Sequence, residues 1–122
     1  MKALLLVAHG SRRQRSNDEV IELAQKLKAE CADHYAIVQA AFLELADTLI
    51  PDGIKNCVNA GASQITVLPY FLNSGRHVTE DIPQDVENTR PNFPEVEIHI
   101  AEHIGASAAM IALLKAAAIN HS

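Results

Sequence analysis

The sequence predicts an α/β domain in which a four-stranded parallel sheet carries helices on both faces. Three observations predict it. Four short apolar runs, at residues 2–8, 35–42, 65–69 and 96–101, have the length of buried strands. Segments with helical spacing or helix-start signals follow each of them. Gly and Pro punctuate the joins. Strict alternation of strand and helix specifies parallel strands linked by right-handed crossovers.

The first run stops at Gly10. Ser16-x-x-Glu19 then has the form of a capping box. Val20, Leu23, Ala24, Leu27 and Cys31 follow at helical spacing, which predicts a helix over 17–33. The second strand is 35–42. Pro51 stands at an early helical position and Gly61 just past that helix's end. After the third strand, Thr79 is the expected cap of a helix opening with Glu80-Asp81, acids in the turn where the dipole favours them. That helix ends before Pro91 and Pro94. The fourth strand is 96–101, and an Ala-rich helix occupies 106–119. No linker, low-complexity segment or internal repeat divides residues 1–122, so the chain reads as one domain.

Apolar residues make up 48% of the chain and charged residues 20%, as in ordinary soluble domains. Trp is absent and aromatics are few, so the core must be aliphatic. Cys31 and Cys57 form no C-x-x-C pattern; two buried thiols in a reducing cytosol are expected. The apolar start mimics a signal peptide but breaks at His9-Gly10 with no cleavage-like site after it. No run has the length of a membrane span. A cytoplasmic protein without a membrane partner is therefore expected.

The net charge of −5 argues against nonspecific nucleic-acid binding. Its distribution says more. Residues 1–15 hold Lys2, Arg12, Arg13 and Arg15 and no acid, which leaves −9 for the rest. A basic cluster thus follows His9 directly and suits an anionic ligand. The chain has no G-x-G-x-x-G, P-loop or G-x-S-x-G segment, against nucleotide enzymes and serine hydrolases. Ser11 beside His9 makes no nucleophile–base pair, because neighbours along a strand do not face one another.

In parallel sheets, ligands collect at the carboxyl ends of the strands. Each such end here carries an imidazole or a carboxylate: His9, Glu44, His77, and Glu102 with His103. Imidazole is neutral near pH 7, ligates transition metals and accepts protons. Two imidazoles plus a carboxylate suit Co, Ni, Fe or Zn, and leave coordination positions open for exchange. His9 and His77 are the candidate pair, with Gly10 and Gly75 beside them for tight turns and close ligand approach. His99 reads as strand filler, and His34 and His121 as incidental.

Three blocks carry a resemblance: Leu5-Leu6-Val7-Ala8-His9-Gly10-Ser11-Arg12, Ala41-Phe42-Leu43-Glu44, and residues 68–83, which contain Gly75-Arg76-His77. Together they resemble the CbiX-type sirohydrochlorin chelatases, especially the short, single-domain form of the sirohydrochlorin cobaltochelatase. The resemblance implies a class II chelatase fold, a flavodoxin-like three-layer domain. Longer relatives place two such domains across one cleft, so it also implies a homodimer. The implied activity is insertion of a divalent metal, cobalt foremost, into sirohydrochlorin during cobalamin biosynthesis. Iron insertion for siroheme and nickel insertion occur in close relatives. No cofactor is implied beyond the metal substrate.

The resemblance also assigns roles. His9 becomes a metal ligand and proton acceptor, His77 the second ligand, and Glu44 a substrate contact or aid to proton removal. Leu72, Asn73, Ser74, Gly75 and Arg76 become lining of the tetrapyrrole pocket. Arg12, Arg13, Arg15 and Arg76 flank the histidines and suit the carboxylates of sirohydrochlorin. The segment Glu102-His103-Ile104-Gly105 departs from the apolar or Pro-containing stretch often found there, which makes His103 a further candidate ligand. Ferrochelatase, a non-catalytic metal or tetrapyrrole carrier, and a regulatory domain that kept only the fold stand as alternatives; the intact His9, Glu44 and His77 set weighs against the last.

Overall fold

Strands β1 (Lys2–Ala8), β2 (Ile37–Phe42), β3 (Gln64–Pro69) and β4 (Glu97–Ile100) form one parallel sheet in the order β2-β1-β3-β4. Helices α1 (Gln14–Glu30), α2 (Ile50–Asn59), α3 (Ile82–Thr89) and α4 (Ala109–Ile119) follow the strands in turn. The computed structural model describes residues 1–121. The chain runs from β1 outward to β2, then crosses back to β3. β1 therefore lies at the reversal of strand order, where such sheets open a crevice at the carboxyl edge.

β1 is buried from Ala3 to Ala8 because both its faces are covered. One face carries the larger core. There Leu5, Val7, Ile65 and Val67 pack with Ile50 and Ile54 of α2 and Ile82 and Val86 of α3. On the other face, Leu4, Leu6 and Val38 meet Ala24 of α1. β3 alternates strictly, with Ile65, Val67 and Pro69 turned into the larger core. Burying one such aliphatic side chain contributes about 1.5–3 kcal/mol, so the sheet centre is a rigid base for the loops above it.

Several boundaries differ from expectation. α1 begins at Gln14, so Ser16 lies inside it and no capping box forms. The entry is built differently: the Ser11 hydroxyl accepts the Arg13 N–H at 3.1 Å, and Asn17 reaches back to the loop. Thr79 is not a cap either. It sits within a π-helical turn, His77–Asp81, that runs into α3, and its hydroxyl donates back to the Gly75 carbonyl at 3.2 Å. A Thr inside a helix uses its hydroxyl in this way instead of capping.

Helices do cover both faces, α1 on one and α2 with α3 on the other. The last helix takes no part in that covering. α4 follows a 3-10 turn at Ile104–Ala106, and none of its residues is buried. Ile111, Leu113, Leu114 and Ile119 are between 57% and 73% exposed. Of the two thiols, Cys57 is buried, and burial pushes it up to about 11, whereas Cys31 is only half-buried. Among the described residues, no helix is long and apolar enough to cross a membrane.

Candidate active site

The loops that follow β1, β2 and β3 carry His9, Glu44 and His77. Neighbouring strands end level with one another, Ala8 opposite Phe42 and Val7 opposite Pro69. The backbone ladder continues beyond the strands. Leu43 N–H donates to Ala8 O at 3.0 Å, Glu44 N–H to His9 O at 3.1 Å, and Tyr70 N–H to Val7 O at 2.7 Å. His9 and Glu44 are thus held side by side by main chain.

Gly10 is what permits this approach. Its φ is +95°, and a Cβ there would overlap the Glu44 carbonyl oxygen. Gly105 plays the same part on the other side of the site, where a Cβ would overlap the Leu72 carbonyl, while its N–H donates to Phe71 O at 2.9 Å. Gly75 makes no such close backbone contact. It has ordinary φ and open space around it, and its carbonyl accepts the Val78 and Thr79 N–H groups as the π turn begins.

The histidine rings meet. Their centroids lie 4.5 Å apart with planes inclined by 37°. Each ring is also held by a carboxylate: His9 Nε2 lies 3.2 Å from Glu44 Oε1, and His77 Nδ1 lies 2.7 Å from Asp81 Oδ2. Among the described residues, no hydrogen bond or ion pair engages the other nitrogens, Nδ1 on His9 and Nε2 on His77. A metal–nitrogen bond of about 2.0 Å places an imidazole centre roughly 3.2 Å from the ion. Two such ligands at right angles would set their centroids about 4.5 Å apart, so the observed spacing suits neighbouring positions on one octahedral ion. Among the described residues, no three His, Cys, Asp or Glu side chains converge on a metal-sized position. The pair alone would leave the other positions of an ion open for exchange. Phe71 completes the ring cluster, its centroid 6.2 Å from that of His77.

His103 opens the 3-10 turn half-buried and makes no ring contact with either histidine. His99 is exposed and shares a 3.1 Å hydrogen bond with Thr66 Oγ1. Arg12 and Arg13 are exposed on the loop after His9, with no ion pair among the described residues. Arg15 lies 3.9 Å from Glu19, and Arg76 donates to Glu80 at 2.9 Å. Exposed pairs of this kind are worth about 0–1 kcal/mol, so an anionic ligand can displace the acid. Leu72, Asn73 and Ser74 are exposed on the loop between β3 and the π turn.

Two residues near the site are absent from the set that the sequence suggested. Asn17 is 2% exposed. Its Oδ1 accepts the Ser11 N–H at 2.9 Å, and its Nδ2 donates to Ser11 O at 2.8 Å and Leu45 O at 3.0 Å. It staples the loop after β1 to the loop after β2. Leu45 is held at φ +56°, a left-handed backbone that a non-glycine residue seldom adopts. The second is Asp81. Its i,i+4 spacing from His77 on a helix was the available clue, but Glu80-Asp81 reads first as a dipole-favoured start.

Hollows surround the loops. One of about 430 Å³ lies at the outer edge of β2 between α1 and α2 and is lined by none of the expected site residues. His9 borders one of about 380 Å³ with Ser11, Asn17 and Tyr70, and His77 one of about 200 Å³ with Glu44, Asp81 and Asp85. The histidines are close to half exposed. Both rings thus lie on an open surface of the domain.

Comparison with known proteins places this arrangement. Over 84 residues the chain is 43% identical to a sirohydrochlorin cobaltochelatase of Methanococcus maripaludis, covering 69% of this chain and 57% of that protein. It is 30% identical to a sirohydrochlorin ferrochelatase of Priestia megaterium over 93% of itself and 42% of that protein. It therefore spans about half the length of these two relatives. A sirohydrochlorin cobaltochelatase of Sulfolobus acidocaldarius is 34% identical and is covered over 88% of its own length, with 94% of this chain. Among solved structures, the sirohydrochlorin chelatase SirB from Bacillus subtilis subspecies spizizenii in complex with cobalt matches 98% of this chain and 50% of that one. The TM-score is 0.87 at 27% identity. The CbiX family profile matches residues 3–120, a span that holds the strand-end histidines, Glu44 and all but the first residue of the sheet, and this chain therefore belongs to the CbiX family.

Proposed function

We propose that this chain is a sirohydrochlorin chelatase that inserts a divalent metal, cobalt foremost, into sirohydrochlorin for cobalamin synthesis. The observation that carries the reading is the His9–His77 pair at adjacent strand ends, ring centroids 4.5 Å apart, each ring with one nitrogen that no hydrogen bond or ion pair engages among the described residues. The names of the methanococcal and Sulfolobus relatives favour cobalt. The name of the Priestia relative favours iron for siroheme, the second reading.

Insertion faces three barriers: the metal must shed water, two pyrrole N–H protons must leave, and the ring must expose its nitrogens. His9 Nδ1 and His77 Nε2 replace two waters of the arriving ion and leave its remaining positions exchangeable. Weak imidazole ligation lets the ion pass on to the tetrapyrrole nitrogens. The Glu44 carboxylate beside His9 accepts protons leaving the ring, directly or through His9, and passes them to solvent from its exposed position. Arg12, Arg13 and Arg76 bind the substrate carboxylates and offset the chain's overall negative charge. Residues 72–76 line the pocket wall beside His77. The metal is substrate, and no other cofactor is needed.

The working form is a homodimer. No hollow at the site exceeds about 380 Å³, at the low end for organic ligands and open to solvent. An apolar surface like that of α4 is seldom left in water by a monomer. A second copy supplies the opposite wall and covers α4. Light scattering tests this directly. The native chain is expected at twice the monomer mass, and Ile111→Asp with Leu114→Asp at the monomer mass; a monomeric, active native chain would overturn the dimer. Residues 1–122 act as one domain, and the unpaired cysteines suit a reducing cytoplasm.

An absorbance assay of purified protein with sirohydrochlorin and Co(II), Fe(II) or Ni(II) tests the activity. Many turnovers are expected, fastest with Co(II). A single stoichiometric uptake would instead mean a carrier.

A further inference from the structure

Among the described residues, Asp81 is the one carboxylate that grips His77. Its Oδ2 lies 2.7 Å from Nδ1, at the short end for a charge-assisted N–H···O bond. The π turn sets the two residues four apart, with Ile82 N–H bonded to His77 O. An ionised carboxylate can only accept, so the imidazole proton sits on Nδ1 and the lone pair on Nε2. His9 is held in the opposite sense, through Nε2 by Glu44. The two rings therefore offer different nitrogens to whatever lies between them.

We infer that Asp81 is the positioning residue of the site: it fixes the rotamer and tautomer of His77 so that Nε2 is the metal-facing donor. This rests on the reading of His77 as a metal ligand. Carboxylate partners of ligating imidazoles orient the ring and raise its basicity, and their loss commonly costs about 10–100-fold in metal affinity. Asp81 touches neither metal nor tetrapyrrole in this scheme and acts only through His77. Unlike the neighbouring Arg76–Glu80 pair on the same turn, its partner is a ring with a second, chemically useful end.

Long-range nitrogen–proton NMR on the metal-free protein reads the tautomer of His77 directly, under conditions where the ring is neutral. The wild type is expected to carry its proton on Nδ1, and Asp81→Ala to lose that preference. Titration with Co(II) alone then measures the donor. Asp81→Ala is expected to weaken Co(II) binding about 10–100-fold, Asp81→Glu to recover part of the loss, and Asp81→Ala to add nothing to His77→Ala. Asp81→Asn replaces the alanine variant if that fails to fold, because an amide of equal size can present N–H to Nδ1 and reverse the tautomer. A proton on Nε2 in the wild type overturns the inference, as does wild-type Co(II) affinity in Asp81→Ala when His77→Ala has lost it. If His77→Ala binds Co(II) as tightly as wild type, the metal-ligand reading fails; an Nδ1–H tautomer in the same wild-type sample would still uphold the grip of Asp81 on the ring.

Discussion

Replacing Asn17 by Ala removes three hydrogen bonds at once, to Ser11 N–H, Ser11 O and Leu45 O. Each net bond is worth about 1 kcal/mol, and each abandoned buried partner adds desolvation cost. The loop edge is partly open to water, which can recover some of this, so the expected loss is about 2–3 kcal/mol. Unfolding entropy near 2.1 cal/mol/K per residue gives roughly 0.26 kcal/mol/K for a chain of 122 residues. The melting temperature should then fall by about 8–12 °C. Asn17→Asp is the informative companion. It keeps an acceptor for Ser11 N–H but turns an oxygen toward two carbonyls, so it should be no more stable than the alanine variant. Because the staple ties the His9 loop to the Leu45 loop, turnover should fall even well below the melting temperature. Scanning calorimetry with a parallel insertion assay checks both. A shift under about 2 °C, or an Asp variant as stable as wild type, would refute the clamp.

Other consequences follow from the same geometry. Arg12→Ala with Arg13→Ala should raise the apparent KM for sirohydrochlorin more than it lowers kcat, since both arginines are exposed and make no ion pair among the described residues; unchanged KM in steady-state assays would remove the basic rim from substrate binding. Gly10→Ala must push the Glu44 loop away at a backbone φ of +95°, so a destabilisation of roughly 3 kcal/mol or more is expected in chemical denaturation, together with loss of insertion. Burial, and secondly the adjacent Asp81 charge, raise the Asp85 carboxyl above its ordinary 3.8. A raised folded-state pKa favours the folded form while the acid is protonated, and that advantage is lost as pH rises through the folded value. Asp85→Asn should therefore increase the melting temperature at neutral pH and leave it nearly unchanged below the ordinary value; an equal gain at both would contradict the assignment.

The sheet was legible because strand and helix periodicities differ and buried parallel strands are almost wholly apolar. The strand ends were legible for the same reason: once Ala8, Phe42 and Pro69 close their runs, the next polar side chains must lie on the crevice edge. That rule puts His9, Glu44 and His77 at the crevice. Asn17 was invisible, because its partners are carbonyls and an N–H six and 28 residues away, and nothing in a polar helix residue encodes them. The π turn escaped notice because Thr79-Glu80-Asp81 matches a helix start, whereas the helical path already begins at His77. The exposure of α4 was not legible for a different reason. An Ala-rich stretch reads as a helix without saying what covers it, and among the described residues none of α4 is buried.

The central claim is that His9 and His77 jointly deliver the metal. Its most direct measurement is the rate of cobalt insertion into sirohydrochlorin by His9→Ala and His77→Ala, each first shown by calorimetry to be folded. Losing His9, a ligand that also accepts protons, or His77, the second ligand, is expected to lower the rate by about 10²–10⁴-fold. A folded variant of either kind that inserts cobalt at the wild-type rate would contradict the claim.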